Sequence, residues 1–180
     1  MVVIDERLEQ VLALTLASGG HDSFEEGVCV MEAVAWVAGE PFSDHPECAS
    51  PVIAAFMRRW NDDLDDEGRQ MLKPLIPRLV GTAATAEVEA RRGWMCADWL
   101  VRVHTPAWLE LAGAAAPAAA LRTLPELHNA ATLRTARPVI DEARSAGAAA
   151  RTATRDALAP TAKGLQVSAI ELVERMCDLA

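Results

Sequence analysis

The stretch that most constrains this chain is Gly27–Gly39, GVCVMEAVAWVAG, in which one charged side chain, Glu32, stands among apolar or small neighbours. A helix with no polar side is normally enclosed by other elements, so this segment reads as the central, buried helix of the fold. Ser23 followed by Glu26 has the spacing of a capping box and predicts a helix start near Phe24. Gly39 with Pro41 supplies the stop. Cys29, Glu32 and Trp36 then share a face. A carboxylate in such surroundings needs donors, because an unpaired buried charge costs several kcal/mol. His45, Arg58, Arg59, Arg78 or an indole N–H are the candidate partners, with Arg58 or Arg59 preferred because a guanidinium can bond a carboxylate at both oxygens.

The helix stop is followed by Ser43-Asp44-His45-Pro46-Glu47-Cys48. Asp44 and Glu47 repeat the capping spacing, and a short turn there brings His45 and Cys48 back towards the helix. Two chemistries fit this cluster. In the first, Glu32, Asp44, His45, Arg58, Arg59 and Asn61 form a structural network of polar groups that locks helix packing, with the cysteines as small apolar residues. In the second, Cys29, His45 and Cys48 bind zinc, with His21, Glu32 or Cys96 as the fourth ligand. The spacing lacks a CxxC knuckle, so the expectation is no cofactor, with zinc as the alternative.

Other helix signals recur along the chain. Leu8, Val11, Leu12 and Leu16 stripe a helix over 5–17, which Gly19-Gly20 ends. Ser50-Pro51 opens a third helix to about Asn61 or Asp62, with Val52, Ile53, Phe56 and Trp60 as its apolar face. NDDLDDEGR reads as a solvated turn and helix start, and KPLIPRLVG as short helical pieces divided by Pro74 and Pro77. A long helix is expected over 83–104, with Asp98 and Arg102 paired at i, i+4, followed by a short one from Thr105-Pro106 to Gly113. The tryptophans read as core anchors. Composition then turns rich in Ala, Arg and Thr, and helices are expected near 125–137, 139–158 and 161–179 with breaks at Pro138 and Pro160. The middle one carries little large apolar surface and reads as an exposed or partner-binding arm. The last, with Leu165, Ile170, Leu172, Val173 and Met176, has a face that can pack. No alternating strand pattern appears, so the fold class is all-α: a helical core over 1–113 and an Ala-rich helical extension over 114–180.

Charge narrows the partners. With 26 acidic against 17 basic residues and a net charge of −9, phosphate-backbone binding is disfavoured, yet the signs are too mixed for a DNA mimic. The start, MVVIDERLEQ, lacks a signal-peptide n-region and no apolar run reaches the roughly 18 residues of a membrane span, so a soluble cytoplasmic chain with reduced cysteines is expected.

The segment MEAVAWVAGEPFSDHPECASPV, with Phe56 and Trp60-Asn61-Asp62, resembles a group of uncharacterised helical proteins of actinobacteria and their phages. The likeness spans roughly 27–113 and rests on Met31-Glu32, Ala38-Gly39-Glu40, Ser43-Asp44-His45-Pro46, Cys48 and Asn61-Asp62. It implies a distinct small fold and marks the same cluster, without implying an activity. No P-loop, GxGxxG, GxSxG or HExxH motif occurs. The first functional expectation is therefore a non-enzymatic accessory or regulatory protein that binds another protein or itself. The alternative is an acid–base or metal-dependent hydrolase or transferase, with Glu32 and His45 as catalytic candidates beside Cys48, Cys29 and His21.

Overall fold

The computed structural model describes residues 2–150 and 158–179. All its regular elements are helical, there is no strand among the described residues, and no helix is long and apolar enough to cross a membrane. The chain divides into two compact units, Met1–Glu89 with Val173–Ala180, and Ala90–Leu172.

The first unit is built around α2 (Val30–Ala38), which packs against α1 (Asp5–Ala13), α3 (Pro51–Asp63) and α5 (Ile76–Leu79). Val30, Met31, Ala33, Val34, Ala35 and Val37 of α2 are fully buried, as its lack of a polar side requires. Gly39 ends it in the left-handed conformation at φ 79, where its N–H donates to Ala35 and Trp36 carbonyls. Its start lies later than the sequence suggests. Ser23 and Glu26 lie in a turn, and Cys29 is the N-cap. Helix α1 stops at Ala13, short of the expected 17, and of its apolar stripe Val11 and Leu16 are buried while Leu12 is exposed.

Ser50 caps α3 by accepting from Ile53 N–H, and Pro51 fills its first turn. The buried face of α3 is Ile53, Ala54, Met57 and Asn61, one position round from the expected one, leaving Val52, Phe56 and Trp60 half-buried. Asp65 caps the short α4 (Asp66–Gln70), and a 3-10 turn at Lys73–Leu75 leads into α5. The end of α10 (Leu158–Cys177) belongs to this unit, with Val173 and Met176 fully buried and Arg78 paired to Glu174 and Asp178.

In the second unit, α6 (Ala86–Trp99) runs into a π-helical turn at Leu100–His104 and then α7 (Thr105–Leu111). Asp98 is buried because it accepts from Leu127 N–H as well as from Arg102 at both oxygens, so this i, i+4 pair also pins a distant loop. The AAAPAAA stretch forms α8 (Ala115–Arg122), with Pro117 in the first turn where its missing N–H costs nothing. Helix α9 (Ala130–Ala150) passes through Pro138 instead of breaking there. Leu109, Ala118, Leu121 and Ala143 form one core, joined by Val101, Leu124, Val139 and Ile140. Residues on both sides of Gly113 therefore share a core, and Gly113 ends α7 at φ 75. The expected arm over 139–158 is thus packed at its start, through Val139, Ile140 and Ala143, and a Cβ added at Gly147 would lie 3.4 Å from Leu109; its part at 151–157 lies outside the described residues.

Candidate functional site

Glu32 is 1% exposed, and both its oxygens are taken by donors. Oε1 accepts from His21 N–H at 2.6 Å, while Oε2 accepts from Cys29 N–H at 2.7 Å and pairs with His21 Nδ1 at 2.8 Å. Cys29 Sγ in turn accepts from Glu32 N–H at 3.5 Å. This is a capping box in which a thiol replaces the usual hydroxyl, and Glu32 is its third helical residue. The carboxylate reaches back along its own helix, so none of the expected partners holds it. Arg58 donates to the Asp44 carbonyl, Arg59 pairs with Asp63, Arg78 pairs with Glu174 and Asp178, and the Trp36 indole donates to Gln10.

His21 completes the arrangement. A carboxylate only accepts, so the Nδ1 that faces Glu32 carries a proton. The ring packs on Gly27, where φ is +154 and an added Cβ would lie 2.5 Å from Nε2 and Cδ2. The His21 side chain is consequently only 14% exposed. Phe24, from the turn beyond it, stacks on Trp36 at 4.6 Å, and Arg7 covers the Trp36 ring at 4.4 Å.

Asn61 serves the same helix start from α3. Its Oδ1 accepts from Val30 N–H and its Nδ2 donates to the Ala17 carbonyl. That second bond belongs to a series. Between α1 and α2 the backbone has few helical partners, and polar side chains supply them in turn. Lys73 donates to the Leu12 and Leu14 carbonyls, Gln70 both accepts from and donates to Leu16, Asp62 accepts from Gly19 N–H, and Glu32 holds His21. One backbone bond, Ala17 N–H to Val28 carbonyl, joins the strap to the approach of α2. Arg69, nearly fully buried, closes the end of α3 by donating to the Asn61 and Leu64 carbonyls.

The histidine-bearing turn after α2 forms a separate group. Glu40, not Asp44, holds the turn, by accepting from the N–H groups of Glu47 and Cys48. Asp44 pairs with His45 Nδ1 at 2.5 Å, and His45 is 68% exposed. The expected network of Glu32, Asp44, His45, Arg58, Arg59 and Asn61 is therefore split: Glu32 and Asn61 at the start of α2, Asp44 with His45 and Arg58 in the turn, Arg59 on the surface. Cys29, His45, Cys48 and His21 are not gathered for zinc, and no three His, Cys, Asp or Glu residues form a metal-holding group among the described residues. Burial pushes the Cys29 thiol up to about 12, with the Glu32 carboxylate adding to the effect. Burial likewise pushes Cys96 up to about 11 and raises Cys48, which the Glu40 charge raises further. These are protonated, poorly nucleophilic thiols at neutral pH.

Sequence reasoning missed the roles of Glu40, Arg69, Gln70 and Lys73, and it placed His21 among zinc ligands and acid–base groups instead of as the partner of Glu32. The signal for His21 and Glu32 was present as Cys29-x-x-Glu32, read as mid-helix because cysteine is an uncommon cap. No match to this chain was found among known family models, curated proteins or solved structures.

Proposed function

We propose that this chain is a non-enzymatic helical protein that works through protein–protein contact, as an accessory or regulatory factor binding another protein or a second copy of itself. The observation that carries this reading is a groove of about 590 Å³ in the second unit. Val103, Ala107, Leu111 and Leu165 give it apolar walls, and Arg102, Glu110 and Arg122 add charge. Both arginines are already paired, Arg102 with Asp98 and Arg122 with Glu110. An apolar centre with paired charges around it is the anatomy of an interface that takes a partner's helix. Val103 is 39% exposed and neighbouring Leu100 44%, a local apolar surface on one turn. The groups best suited to chemistry are meanwhile engaged elsewhere: Glu32 holds backbone amides, and the thiols keep their protons.

The acid–base alternative draws on one favourable contact, the His21 imidazole held by Glu32. A version with Glu32, His45 and Cys48 in one cluster has no hydrogen bond joining Glu32 to the other two among the described residues.

A photo-crosslinking residue at Val103, in the full chain expressed in its producing cell, tests the proposal. A discrete adduct is expected, with a partner or with a second copy, the latter accompanied by a dimer in light scattering. Gly164→Trp should abolish it, since Gly164 lines the groove and a Cβ added there meets nothing within 4 Å, so the indole extends into the space a partner would fill. A strict monomer that gives no adduct contradicts the reading.

A further inference from the structure

We infer that the second unit binds a short-chain monocarboxylate in a cavity of about 240 Å³ walled by Val101, Thr105, Leu121, Ile140, Ala143 and Arg144. This site is separate from the groove above and does not depend on it.

The floor of the cavity is core. Leu121 and Ala143 are buried members of the cluster that also holds Leu109, and Val101 and Ile140 pack against it. The walls are therefore set by packing before any ligand arrives. Val101 and Thr105 come from the π-helical turn and the helix start it leads into. Such turns widen a helix locally and recur at functional positions.

Two side chains give the cavity its polarity, and both have spare capacity. Arg144 is exposed and its guanidinium has no ion pair or hydrogen bond among the described residues. The Thr105 hydroxyl likewise has none. A lone cation and a hydroxyl beside an apolar space select an anion with a hydrocarbon body: the guanidinium takes a carboxylate at both oxygens, the hydroxyl donates a further bond. An amine would face Arg144 with like charge.

Volume fixes the size. A cavity of about 150 Å³ accommodates benzene, so by proportion this one takes roughly eight to ten non-hydrogen atoms. It lies below the ~300 Å³ where sites for drug-sized ligands begin. Hexanoate and its near homologues fit both limits.

The test is a titration of the isotope-labelled full chain, followed by amide chemical shifts, with hexanoate, butyrate and hexanamide as probes. Hexanoate is expected to give saturable shifts at Val101, Thr105, Ile140 and Ala143. Butyrate, shorter by two methylenes at about fourfold each, should bind roughly fifteenfold more weakly. Hexanamide should be at least about tenfold weaker than hexanoate, since it lacks the charge. Arg144→Gln should reduce hexanoate to the level of hexanamide while leaving the melting temperature unchanged, because Arg144 is exposed. The inference is overturned if hexanoate gives no saturable shift at about 10 mM, if hexanamide binds as tightly, or if Arg144→Gln keeps the full affinity.

Discussion

At the scale of single residues, Glu32 shows how a buried charge can serve the backbone. It accepts from two amides and one imidazole, the Cys29 amide buried and the two His21 donors largely so. Glu32→Ala leaves these donors unmatched and should cost about 3–5 kcal/mol in denaturant unfolding. Glu32→Gln keeps the shape but turns an amide group towards donors, and should cost about 2 kcal/mol. Gly27→Ala should destabilise by about 3 kcal/mol, because the new methyl meets the His21 ring and the backbone lies at φ +154. The Cys29 thiol gives a pH test. Its folded pKa is raised from 9.0 to about 12, so above pH 9 the unfolded chain holds fewer protons than the native one. Stability contributed by this group is fully present below pH 9 and falls as pH rises towards 12, by about 1.4 kcal/mol per pH unit. Cys29→Ser, which caps but does not ionise in that range, should flatten this alkaline limb in unfolding curves. The importance of Glu32 was legible from its isolation in an apolar run. Its partner was not, because His21 looks like a linker residue until the helix is seen to begin at Val30, and Arg58 and Arg59 looked better placed only for a carboxylate in mid-helix.

At the scale of elements, the caps and stops that obey local rules were readable: Ser50-Pro51 opening α3, a helix start within NDDLDDEGR, Gly39 closing α2. The strap between α1 and α2 was not, since its bonds come from Asn61, Asp62, Gln70 and Lys73, more than 40 residues away in sequence, and nothing local announces them. The carboxyl-terminal half departs from its local signals for a different reason. Pro138 predicts a break, whereas Val139, Ile140 and Ala143 pack into the second unit's core and outweigh the lost bond. An interior proline still costs an α-helix up to about 3 kcal/mol. Pro138→Ala, at an exposed position, should therefore raise the melting temperature, by an amount equivalent to about 1–3 kcal/mol. Arg69→Leu should act in the opposite direction, costing about 3 kcal/mol, because it strips the Asn61 and Leu64 carbonyls of their donor.

At the scale of the whole molecule, the all-α class followed from repeated caps and the absence of alternation, and the structure has that class throughout its described residues. The expected division at Gly113 rested on composition, which here records a change from large to small packing residues: Leu109 before it and Ala118 and Ala143 after it share one core. The first unit has its acid–histidine pair at the junction of strap and central helix, where it joins the two. Native-state hydrogen exchange of the Glu32→Gln variant beside the unaltered chain tests this role most directly. Slow exchange is predicted at the amides of His21 and Cys29 in the unaltered chain, with protection at His21, Gly19 and Leu16 falling together in the variant. Rapid exchange at His21 and Cys29 before substitution, or protection unchanged after it, would contradict the assignment of Glu32 as the residue that fastens the strap to α2.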